Sequence, residues 1–272
     1  MIILTSDDEV RSNDGRIFNL KANPRRIIAF KRVILVKLNN GKTMELRQIF
    51  LKFFDEATFL NARDQSYSAK HPYYKLFDKE IPSSLQLIVD GFQSKSTSLA
   101  QTIYKEQNKY SFAASIGNGV LADIFWFAIM DDKITNDPQR GVYVVYLVSY
   151  DGKSIYLCLM QAVKGAIKSA AQCEDAIRGL KGAREGLMKK IEARLEKIPE
   201  KYAEGFAKGT IDLSLNDEKN FFTAKAYQEA VLYSKKYNCD CVPSEEELRK
   251  DLWKMMKIYG NYRTSLMREI QR

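Results

Sequence analysis

Apolar positions along this chain follow two periods, and the switches between them mark its elements. From Met44 onward Leu46, Ile49, Phe50, Phe53, Phe54 and Ala57 recur at three- and four-residue spacing, the stripe of an amphipathic helix. Ala69–Lys79 reads as a loop or short helix, and a second helix is predicted over Ser83–Tyr104. Short apolar runs of strand type follow at Tyr110–Ile116, Ile124–Met130, Val142–Tyr150 and Ser154–Ala162. The last two flank Asp151-Gly152, a tight-turn signal because glycine tolerates positive φ. Helical spacing then returns. Ile177, Leu180, Leu187, Ile191 and Leu195 form a stripe on a long helix, and Thr223–Tyr237 reads as another. The last helix opens at Pro243-Ser244-Glu245-Glu246-Glu247, where Ser244 and Glu247 have capping-box spacing and three acids occupy the positive first turn. Leu248, Leu252, Met255, Tyr259, Tyr262 and Leu266 are its expected buried side.

These elements predict an α+β fold: a central mixed or antiparallel sheet of about four to six strands, covered by helices, with a helical C-terminal half. Residues 44–272 read as one domain. Residues 1–43 differ, with nine Lys or Arg against four Asp or Glu and turn signals at Asn13-Asp14-Gly15, Asn23-Pro24 and Asn39-Asn40-Gly41. They read as a basic extension in which Ile27–Leu38 forms a hairpin arm or an edge strand.

Composition narrows the functional classes. Of 272 residues 45% are hydrophobic and 28% charged, which is globular. No apolar run approaches the roughly 18–20 residues a membrane span needs, and MIILTSDDEV does not read as a signal peptide, so a cytoplasmic address with free thiols is expected. The net charge of +9 fits either a nucleic-acid partner or a merely solvated basic surface.

Familiar catalytic chemistry does not emerge. A single histidine, His71, removes two-histidine metal sites and most nucleophile–base pairs; beside Pro72 it reads as a surface-loop residue. Cys239-Asp240-Cys241 lacks the second ligand pair of a zinc site. Asp151-Gly152-Lys153-Ser154 resembles the end of a phosphate-binding loop, but Leu147 stands where its first glycine belongs and strands flank both sides. Asp217-Glu218-Lys219 matches a nuclease signature only loosely and reads as a solvated loop. No catalytic residue, metal or cofactor is expected.

The remaining candidate lies in residues 115–162. On a strand, alternate residues share a face, so Ile124, Trp126 and Ala128 oppose Phe125, Phe127 and Ile129. Tyr143, Val145 and Leu147 likewise oppose Val142, Val144, Tyr146 and Val148, so both strands read as central. Trp126 and Tyr143 fit either plain core packing or an aromatic slot preceded by the loop Gly117-Asn118-Gly119.

The runs SIGNGVLADIFWFAI, RGVYVVYLVSYDG, IYLCLMQ and PSEEELRKDLWKMMKIY, in this order, resemble the N-terminal DNA-recognition domain of McrB from modified-cytosine restriction systems, over roughly residues 44–262. The resemblance implies a non-catalytic specificity module that binds double-stranded DNA and flips a modified cytosine into a pocket lined by Trp126, Tyr143 and Leu147. It also implies a partnership, in cis or trans, with an AAA+ GTPase motor and a nuclease subunit. The chain departs from the family pattern twice: Asn118 replaces the aromatic residue of the glycine loop, and Phe125 replaces the proline before the Trp. Asn118 can hydrogen-bond an orphaned guanine but cannot stack on it. Arg25, Arg26, Lys31, Arg32 and Lys153 are the candidate phosphate contacts. A self-contained endonuclease and a protein-interaction subunit of a defence complex are the alternative readings.

Overall fold

The computed structural model describes residues 3–6, 9–11, 17–19, 44–63, 65, 68, 70–95, 109–118, 120–163, 173–195, 202–215 and 222–270. The chain divides into two compact units, Met1–Thr43 and Met44–Arg272. In the first, β1 (Ile3–Ser6), β2 (Glu9–Arg11) and β3 (Ile17–Asn19) form a small antiparallel sheet in chain order. The expected arm at Ile27–Leu38 lies outside the described residues.

The second unit is built on a six-stranded sheet in the order β4-β5-β6-β7-β9-β8, antiparallel at every pairing. Its strands are β4 (Tyr110–Asn118), β5 (Val120–Asp131), β6 (Val142–Val148), β7 (Ser154–Gln161), β8 (Ala207–Lys208) and β9 (Val231–Asn238). Six α-helices are seen among the described residues: α1 (Leu46–Phe54), α2 (Glu56–Arg63), α3 (Ile81–Lys95), α4 (Cys173–Leu195), α5 (Phe222–Ala230) and α6 (Glu245–Ile270). Helices cover both faces of the sheet, which makes the fold α+β as the patterning predicts.

Every residue of β6 and β7 is buried, the mark of central strands covered on both sides. Phe125, Phe127, Ile129, Val144 and Tyr146 face a core supplied by α1, α2, α3 and α6, including Phe50, Phe53, Phe59, Ile81 and Leu252. Phe127 stacks on Tyr146 with ring centroids 4.7 Å apart. Ile124, Ala128, Tyr143, Val145 and Leu147 face the opposite core, with Leu180 of α4, Ala224, Ala226 and Ala230 of α5, and Ile211 and Leu213.

Two expectations need correction, and a third is met over the described residues. The helix read over Thr223–Tyr237 ends at Ala230, and Val231–Asn238 is strand β9, paired with β7. Val231, Leu232 and Tyr233 are fully buried in the sheet, and no glycine or proline marks the change of period. The helix read over Ser83–Tyr104 starts at Ile81 and is described to Lys95, after a π-helical turn at Leu76–Glu80. His71 is not a surface residue: it is 4% exposed, its Nδ1 accepts from the Tyr73 amide, and its Nε2 meets the Ala62 carbonyl at 2.8 Å. It serves as a polar plug between α2 and the turn before the π-helical segment. Asp217-Glu218-Lys219 lies outside the described residues.

Candidate functional site

One end of the sheet carries most of the residues singled out from the sequence. β5 pairs with β6 only from Trp126 to Ile129, while its pairing with β4 continues out to Asn118–Val120. Among the described residues Val120–Phe125 therefore has β4 as its only strand partner, and β4 and β5 form a two-stranded ribbon beyond the edge of β6, its Ile124 and Phe125 still buried. The span from Val120 to Trp126 is about 20 Å at strand rise. Gly117 and Asn118 stand at the ribbon's tip, inside β4 rather than in a separate loop; Gly119 lies outside the described residues. A register shift between Ser115 and Gly117, with Gly117 at φ 127°, marks a bulge there, and the Ser115 hydroxyl accepts from the Gly117 amide at 3.1 Å.

At the ribbon's root, Trp126 is the register partner of Leu147 on β6 and of Ser115 on β4. Trp126 is half-buried against the face that contains Leu147, which is 1% exposed. The segment at residues 210–215 crosses the same face: Leu213 is fully buried, its carbonyl accepts from the Tyr150 amide at 2.8 Å, and its amide donates to the Gln228 side chain.

Tyr143 shares this face but sits four residues along β6, about 13 Å from Leu147 at strand rise. Its hydroxyl donates to the Pro138 carbonyl at 3.0 Å, in the connection between β5 and β6. Burial, then the neighbouring Tyr227 and Asp137, push its phenol well above the ordinary range, so it remains a neutral donor. The structure thus brings Trp126 and Leu147 together and sets Tyr143 toward the other end of the sheet.

The turn from β6 to β7 lies beside the ribbon's root. Ser149 holds it through its backbone bond to Ser154 and its hydroxyl on Asp151, 2.6 Å away. Gly152 has φ 71°, and a Cβ there would meet the Phe59 ring at 2.5 Å, so the turn seats against α2 only because this residue is glycine. Lys153 is exposed at this turn. Its carbonyl accepts from the Cys239 amide, which ties the end of β9 to the same place. Arg25, Arg26, Lys31 and Arg32 lie outside the described residues.

No sequence pattern assigns a role to Arg63, the last residue of α2. Its guanidinium lies 4.3 Å from the Tyr150 ring centroid, 4.9 Å from that of Phe125 and 5.2 Å from that of Phe59. One Nη donates to the Asp123 carbonyl in the ribbon, while the buried Nε has no hydrogen-bond partner among the described residues. Burial lowers its pKa, opposed by Tyr150, Asp123 and Asp151. Nothing in local sequence signals this cluster, because its members are separated by up to 91 positions and meet only through the fold.

Among the described residues no group of three His, Cys, Asp or Glu side chains is placed to hold a metal ion, and no helix is long and apolar enough to cross a membrane. The model of the family described as "MrcB-like, N-terminal domain" matches residues 56–264, most of the chain and nearly all of its second unit. The chain belongs to this family. No curated protein matches it. As an MrcB-like N-terminal domain, its setting is a restriction system and its theme is DNA binding. The match takes in the ribbon, Trp126, Tyr143, Leu147 and the Arg63 cluster.

Proposed function

We propose that this MrcB-like domain is the DNA-reading module of a modification-dependent restriction system, itself non-catalytic, and that it recognises a modified cytosine turned out of the duplex. The observation that carries the reading is the pairing of half-buried Trp126 with Leu147 at the root of a two-stranded β-ribbon. A two-stranded ribbon fits the major groove of B-DNA, about 12 Å wide. Its tip, with Asn118, engages the duplex where the base has left; its root presents the Trp126 ring as the stacking surface for that base. Leu147 supplies an apolar wall suited to a methyl group, and Tyr143 closes the inner end of the same face. Lys153, exposed beside the root, takes a phosphate, as do Arg25, Arg26, Lys31 and Arg32 of the basic N-terminal unit. A motor and a nuclease, in cis or trans, then act on the bound DNA.

Flipping is tested with a fluorescent purine analogue placed beside the modified cytosine, which brightens when its neighbour leaves the stack. Brightening with the wild-type protein, reduced in Asn118→Ala, is the expected result. Tight binding of the modified duplex without any brightening contradicts flipping.

A further inference from the structure

Arg63 joins three elements that meet at the ribbon's root. Phe59 lies one turn back on its own helix, Phe125 belongs to the ribbon immediately before Trp126, and Tyr150 starts the turn between β6 and β7. The guanidinium touches all three rings and donates to the Asp123 carbonyl, two residues further out along β5. Where β5 loses β6 as a partner, Ile116, Ile124 and Phe125 stay buried in the two cores, and this side chain adds a polar link from the ribbon to α2 and the β6–β7 turn. A guanidinium held face-on by three rings and fixed by one carbonyl has its direction set by the fold. Lysine cannot substitute, because a compact ammonium neither stacks as a plane nor presents a fork.

We propose that Arg63 is a positioning residue: it clasps the root of the β4–β5 ribbon and so sets the direction of the ribbon and the orientation of Trp126 for reading DNA. The consequence for DNA rests on the proposed function above, whereas the clasp itself is observable without DNA. Arg63→Met keeps the length and removes the fork and charge; Arg63→Lys keeps the charge alone.

The test is hydrogen exchange of ribbon amides at residues 117–125, run beside DNA affinity at several salt concentrations. Three pairwise cation–π contacts and a hydrogen bond are at stake, so both variants are expected to speed ribbon exchange by roughly tenfold. Amides in β6 and β7 keep wild-type protection. Affinity for modified duplex is expected to fall by about tenfold with an unchanged salt slope, because no phosphate contact is lost. Unchanged ribbon exchange in Arg63→Met overturns the clasp. A salt slope reduced by about one, with exchange unchanged, overturns it in favour of a direct phosphate contact. If exchange rises throughout the sheet, Tyr150→Leu decides instead, since it removes the nearest ring and leaves the guanidinium: selective loosening of the ribbon supports the clasp, and none overturns it. Selective loosening in a protein that shows no preference for modified DNA upholds the clasp and removes the DNA reading.

Discussion

At Gly152, backbone conformation and packing make the same demand. Its φ of 71° lies in the region that side-chain-bearing residues avoid, and its Cα faces the Phe59 ring too closely for a Cβ. Gly152→Ala is therefore expected to destabilise the fold by about 2 kcal/mol, read as a lower urea midpoint. Gly179, in α4, has open space around it, so Gly179→Ala is expected to stabilise by about 0.5–1 kcal/mol in the same assay. The Asp151-Gly152 turn was legible from the sequence because a two-residue signal between apolar runs is local chemistry. His71 was not: its burial comes from contacts with Ala62 and Tyr73 that no spacing rule encodes. Arg63 was missed for the same reason, its ring partners being dispersed along the chain.

Elements divide along the same line. Helix α6 begins where the capping-box spacing places it: the Ser244 hydroxyl accepts from the Glu247 amide, and Glu247 accepts from the Ser244 amide at 2.9 Å. The hydroxyl also donates to that carboxylate at 2.7 Å, and these bonds hold the exposed Glu247 carboxyl below its ordinary pKa. Ser244→Ala should cost about 1 kcal/mol of stability in denaturant unfolding, with the same fold by circular dichroism. Strands β5, β6 and β7 were readable as apolar runs with turn signals between them. β9 was not, because α5 passes into it without a breaker and its run Val231–Tyr233 suits a helix or a strand equally well. The neighbouring edges of β7 and β8 decide for the strand. The ribbon was half legible: both strands and the glycine tip could be read, but the loss of pairing with β6 beyond Trp126 depends on where β6 ends.

Across the whole molecule, strand alternation put Tyr143 and Leu147 on one face of their strand and Trp126 on one face of its own, and the spacing of Tyr143 from Leu147 follows from strand rise. What alternation could not supply was register, which sets Trp126 opposite Leu147 and leaves Tyr143 apart. With a net charge of +9, DNA binding is expected to weaken steeply with salt through counterion release. Lys153→Gln should reduce the slope of log affinity against log salt by about one, equally for modified and plain duplexes, when measured by fluorescence anisotropy. A slope that does not change removes Lys153 from the phosphate contacts. The most direct measurement of all compares the affinities of wild-type protein and Trp126→Ala for two duplexes that differ only by cytosine modification, at one salt concentration. Tighter binding of the modified duplex is expected, with Trp126→Ala losing about ten- to a hundredfold on that duplex, since one base–aromatic stack contributes about 1–3 kcal/mol, and little on the plain one. Equal affinity of the wild-type protein for both duplexes, with no loss in Trp126→Ala, would contradict the reading of this domain as a modified-base reader.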